Sequence, residues 1–131
     1  NSYLDSHKVD ILIIDQLDKV NVSGTFARTD EKLRAIYTGI RELAKRHGIC
    51  VIALSQASAD GHNKLNLSFD MMENSKTGKA AEADLIIGIG RQNTSDPNET
   101  LRQLNISKNK INGVHAEIIS YINPQLSRYD V

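Results

Sequence analysis

The chain has 131 residues, 40% of them hydrophobic and 24% charged, the composition of one soluble globular domain with a real core. Its 16 basic and 16 acidic residues cancel, so overall charge argues for neither nucleic acid nor membrane, and any such contact must come from local clusters. The single cysteine excludes an internal disulfide, and no apolar run nears the ~18 residues of a membrane span.

In chain order, the first predicted element is a strand over residues 9–14, where Ile11 to Ile14 read as buried on both faces. A helix follows over residues 30–47, with Leu33, Ile36, Tyr37, Ile40, Leu43 and Ala44 at helical spacing on one face. Thr29 or Asp30 is expected to cap its start, and Gly48 supplies a left-handed stop after Lys45, Arg46 and His47. A second strand spans residues 49–54, which makes Cys50 a buried thiol. Strand, helix, strand predicts a parallel pair. Residues 57–78 are polar and aperiodic, and a connection that long is usually functional or mobile. A short helical turn over 79–83 precedes strands at 85–89, 104–108 and 116–122, with Asn112-Gly113 as a hairpin signal. The fold class is therefore α/β, a mostly parallel sheet with a C-terminal antiparallel hairpin. The chain opens on Asn1, close to a core strand, and reads as part of a longer protein.

Asp15 stands where the first strand leaves the sheet, the edge at which open α/β folds bind ligands. A carboxylate there can accept from Mg²⁺-bound water beside a nucleotide's phosphates, although Asp also favours plain turns. Gln56 follows the second strand at the same edge, where its amide could sense a terminal phosphate or simply close the strand. Asp18 reads as a turn residue. Lys108 and Lys110 lie two apart on an extended chain, so both ammoniums could approach one anion, or could guard an edge strand. Arg28, Lys64, Lys76 and Lys79 sit in or beside the long loops and could contact phosphates. The four histidines lack ligand spacing, and GxxxxGK[ST] is absent.

Assembled, these motifs resemble the RecA-like motor domain of hexameric replicative DNA helicases, of the DnaB type and especially phage primase-helicases. Val9 to Asp15 resembles the Walker B segment, Leu43 to Gln56 the helix and strand leading to a sensor glutamine, and Ala83 to Arg91 the next strand. Ile106 to Lys110 with Asn-Gly resembles the finger hairpin, and Ile122 to Tyr129 the closing stretch. The resemblance covers nearly all of residues 1–131 as the C-terminal portion of one RecA-like ATPase domain. It implies ATP and Mg²⁺ as cofactors of the parent protein, with Asp15 serving Mg²⁺ and Gln56 coupling the γ-phosphate to DNA. It places Arg91 beside the base and has Lys108 and Lys110 act on a neighbour's ATP. It further implies single-stranded DNA, a homo-oligomeric ring and a primase as partners, no membrane, and a bacterial or phage-infected cytoplasm. Three departures stand out: the P-loop lysine and the catalytic carboxylate are absent from residues 1–131, which alone are expected inactive, Lys110 occupies an arginine-finger position, and the spacing before Asp84 differs. A RecA-like recombination mediator without motor activity and a small-molecule α/β binding protein are the competing readings.

Overall fold

The computed structural model describes residues 2–73 and 78–130. They gather into two units, residues 2–55 with 78–82, and residues 56–73 with 83–130.

The first unit starts with a short helix, α1 (Ser2–Ser6), that no period announces. The apolar run then forms β1 (Ile11–Ile14), which pairs in parallel with β2 (Cys50–Ala53), Ile11 against Cys50 and Ile14 against Ala53. The connecting helix, α2 (Thr29–His47), turns Leu33, Ile36 and Tyr37 inward against Leu17. Ile14, Val20, Val22 and Ile40 pack around this cluster, and each buried apolar side chain contributes roughly 1.5–3 kcal/mol. Gly48 ends α2 at φ 64°, its N–H donating to the Ala44 carbonyl, as the sequence predicts. The other end differs: neither Thr29 nor Asp30 caps the helix, because Arg28 occupies the cap position and draws the Asp30 carboxylate into an ion pair at 2.8 Å. Helix α3 (Lys79–Glu82) completes the unit.

Two expectations about burial are corrected here. Ile11 and Ile13 are 56% and 65% exposed, and Cys50 and Ile52 are exposed beside them. The run is therefore buried on one face only: α2 and the turn at Leu17–Lys19 form the core, and the strand face carrying Ile11, Ile13, Cys50 and Ile52 stays open. Cys50 is not a buried thiol.

The second unit is an antiparallel sheet in the order β3 (Leu85–Gly90), β4 (Leu101–Asn109), β5 (Glu117–Asn123) and β6 (Arg128–Asp130). The antiparallel part is thus four strands rather than a hairpin. β6 escapes a sequence reading because only Arg-Tyr-Asp forms it, after a Pro124 turn in which Ser127 sits at φ 48°. β4 outruns β5: its pairing with β5 ends at Asn105 opposite Glu117, while Lys108 and Asn109 still pair with Ile86 and Leu85. The turn that follows is wider than a two-residue Asn-Gly hairpin. Asn109 organises it, its carboxamide donating to Asn112 and Val114 and accepting from the Ile111 N–H at 2.9 Å.

Residues 57–73 are also more ordered than their composition suggests. They hold 3-10 turns at Ala59–Gly61 and Phe69–Met71 and an Ala57–Met72 bridge. The Glu73 N–H donates to the Gln56 carbonyl at 2.9 Å, so the segment closes on itself as a compact loop. Among the described residues no helix is long and apolar enough to cross a membrane.

Candidate functional site

In the first unit, chemistry collects where β1 and β2 end. Their register sends the chain out of both strands at one edge, and the Leu54 N–H extends the ladder to the Ile14 carbonyl at 3.0 Å. Asp15 emerges there, exposed. The chain then turns back through Leu17–Lys19, held by the Leu17 N–H on the Leu54 carbonyl at 3.3 Å and by the Leu17 side chain, which is 1% exposed. A lone, accessible carboxylate at this edge suits Mg²⁺, which keeps most of its waters and takes its other ligands from phosphates. It does not suit an all-protein cation cage, and the described residues contain no cluster of three or more metal-binding side chains.

Three residues after Asp15, Asp18 is the hub of a polar network absent from the sequence reading. Its carboxylate accepts from the Lys79 ammonium at 2.6 Å, the Tyr37 hydroxyl at 2.7 Å and the Ser55 hydroxyl at 3.0 Å. Lys79 is 0% exposed and lies 5.4 Å from the centre of the Tyr37 ring. Burial pushes the Asp18 carboxyl upward, but the bonds from Lys79, Tyr37 and Ser55, with the Lys79 charge, outweigh it and hold the group below the usual carboxylate value. Burial and the bond to Asp18 push the Tyr37 phenol well above its ordinary value, so it remains a donor. At its far end, α3 is tied to α2: Glu82 accepts from the Thr38 hydroxyl at 3.3 Å and its backbone carbonyl accepts from Arg41.

The expectation that Lys79 contacts a nucleic-acid phosphate is therefore corrected, because its ammonium is committed to Asp18 in the interior. Arg28 is exposed and paired with Asp30. Lys76 lies outside the described residues.

The second unit carries the other candidates. Gln56 is exposed at the base of the 57–73 loop. The loop is strapped to the sheet by Asn105, which is 4% exposed and bonds both sides of one backbone unit: its carboxamide oxygen accepts from the Leu67 N–H at 3.0 Å, and its nitrogen donates to the Leu67 carbonyl at 2.9 Å. Gly88 and Gly90 make room for this, since a Cβ at Gly90 would meet the Leu65 carbonyl oxygen at 1.7 Å. The Arg91 N–H adds a bond to the Lys64 carbonyl at 2.9 Å, and the Lys64 side chain stays exposed.

Arg91 itself is half-buried and engaged locally. Its guanidinium donates to Glu99 at 3.4 Å and to the Asp96 carbonyl, folding the loop between β3 and β4 over it. Lys108 is half-buried on the part of β4 beyond β5, and Lys110 is exposed at the start of the turn, its N–H donating to the Asp84 carbonyl at 2.8 Å. Asn105 had one sequence signal, the Gly-Ile-Gly inside an apolar strand, which marks close backbone approach. Asp18, Tyr37 and Ser55 had none.

Comparison with known proteins gives a consistent answer. The family model described as the DnaB-like helicase C-terminal domain matches residues 2–130. Among solved structures, one described as an ATPase domain superposes with a TM-score of 0.76 at 17% identity, over 91% of this chain and 43% of that one. A DnaB-like replicative helicase, studied with its interactions with primase, superposes with a TM-score of 0.75 at 18% identity, over 91% of this chain and 29% of that one. The chain thus spans less than half the length of either structure, and at these identities they establish the RecA-like fold alone. No curated protein sequence matches the chain.

Proposed function

The chain belongs to the DnaB-like helicase C-terminal domain family, and from that premise we propose that it supplies part of the motor core of a hexameric, ATP-dependent replicative helicase that moves on single-stranded DNA and opens duplex. The observation that carries this reading is the shared exit edge of β1 and β2, with an accessible Asp15 after one strand and Ser55-Gln56 after the other. Substrates of open α/β sheets bind at that edge.

A bound Mg²⁺ would neutralise phosphate charge, and Asp15 is the residue that would hold it through its waters. Gln56 donates its amide toward the terminal phosphate and reports its loss to the 57–73 loop, whose base it forms. Lys108, at the end of β4, and Lys110, in the turn after it, would act on an adjacent subunit's nucleotide, where positive charge stabilises the transition state. Lys lacks the planar fork of Arg, so this contribution is that of a point charge. Arg91 lies beside the base with its guanidinium held by Glu99 and the Asp96 carbonyl, and Arg28, Lys64 and Lys76 contact DNA phosphates. A primase is the expected protein partner. The open face of Ile11, Ile13 and Ile52 is where the rest of such a domain packs. Residues 1–131 alone turn over no ATP, since they contain no phosphate-cradling GxxxxGK[ST].

ATP hydrolysis by the intact protein, measured with and without single-stranded DNA, tests this. Asp15→Ala is expected to abolish turnover, and Gln56→Ala to retain basal turnover while losing stimulation by DNA. Wild-type turnover in Asp15→Ala would remove the basis of the assignment, and an intact protein with no ATPase activity would favour the non-motor mediator.

A further inference from the structure

A fully buried lysine is rare unless it is paired, and the pair here joins four separate pieces of chain at one carboxylate. Asp18 comes from the turn that follows Asp15, Tyr37 from α2, Ser55 from the exit of β2, and Lys79 from the first position of α3. Ion pairs of this kind add little net stability compared with apolar packing, and their best-attested use is to select one arrangement of the groups they join. What this one selects follows from the sequence: Ser55 is bonded to Asp18 at 3.0 Å, its oxygen lies 3.4 Å from the Lys79 ammonium, and the next residue is Gln56.

We propose that Asp18, Lys79 and Ser55 form a positioning network that fixes the backbone at the exit of β2, and thereby the direction in which Gln56 presents its amide. The inference rests on the sensor role of Gln56 and adds the residues that make that role precise. With Ser55 anchored, the backbone entering Gln56 has one direction. Without the anchor the amide samples several, and a hydrogen bond to a terminal phosphate forms in only a fraction of them. The same carboxylate holds the turn after Asp15, so one network governs the chain leaving both strands. Tyr37 completes it from the helix side, donating to the second carboxylate oxygen and backing the ammonium with its ring.

The test uses the intact protein and the ratio of DNA-stimulated to basal ATP turnover. Ser55→Ala removes one hydroxyl and leaves the ion pair in place, so it should fold. It is expected to lower the ratio about fivefold, the weight of one hydrogen bond, with KM for ATP unmoved and Tm lowered only by the few degrees one such bond supports, and Ser55→Thr should recover the loss. Lys79→Met and Asp18→Asn should lower the ratio in the same way wherever they fold. An unchanged ratio in Ser55→Ala beside a lost one in Gln56→Ala would overturn the positioning network while leaving the sensor intact. An unchanged ratio in Gln56→Ala would overturn the sensor reading and the network with it. A fall in basal turnover equal to the fall in DNA-stimulated turnover would show Ser55 to be merely structural.

Discussion

Replacing Asn105 with Leu should release the 57–73 loop from the sheet without unfolding the protein. The carboxamide makes two bonds to Leu67, at 3.0 and 2.9 Å, and no apolar side chain can replace them. Each such bond contributes about 1 kcal/mol net, and a backbone group left without a partner adds a further penalty. Leu67 is half-buried, so water relieves part of that penalty. The sum is about 2–3 kcal/mol on the closed loop, and at 1.4 kcal/mol per tenfold this raises the open population about 30- to 150-fold. Native-state hydrogen exchange on the intact protein reads this directly. The Leu67 amide should lose protection by that factor, and the Arg91 amide, bonded to the Lys64 carbonyl, should follow. The Cys50 and Leu54 amides, bonded to the Asp10 and Ile14 carbonyls across β1 and β2, should not change. Unchanged exchange at Leu67 would refute the strap, and an equal rise at Cys50 and Leu54 would show the loss to be global.

Two glycines separate steric from conformational demand. Gly90→Ala drives a Cβ onto backbone at 1.7 Å, so loop and strand must part, at a cost of about 3 kcal/mol. Gly48→Ala meets nothing within 4 Å but must hold φ 64°, at a cost of about 1 kcal/mol. Urea midpoints should rank them in that order, and equal midpoints would contradict the close approach at Gly90. Asp18 gives a pH dependence. Its folded pKa lies below the unfolded value of about 3.9, so its contribution is complete above that value and is lost as pH falls through the folded one. Denaturation midpoints measured between about pH 6 and about pH 3 should fall less steeply for Asp18→Asn than for wild type. Parallel curves would count against a charged, bonded Asp18.

The elements that rest on local chemistry were legible in the sequence. α2 follows from apolar spacing and a left-handed glycine, and the parallel pairing of β1 and β2 from the helix between them. Burial was less so. Ile11 and Cys50 sit in runs that look like core, yet whether a face is covered depends on what packs there, and a four-residue run carries no record of that. The hub at Asp18 was invisible for a related reason: Lys79 lies 61 positions away, and no local pattern links them. Charge alone therefore makes Lys79 look like a phosphate contact. The glycines of β3 carried a signal of close approach, but not the identity of the segment that approaches.

A chain that forms part of an ATP-driven DNA motor predicts unwinding of a forked DNA duplex by the intact protein with ATP and Mg²⁺, measured beside the Asp15→Ala variant. Strand separation that requires ATP hydrolysis and disappears in Asp15→Ala is the predicted result. Separation that persists in Asp15→Ala, or an intact protein that binds DNA and hydrolyses ATP yet never opens the duplex, would contradict it.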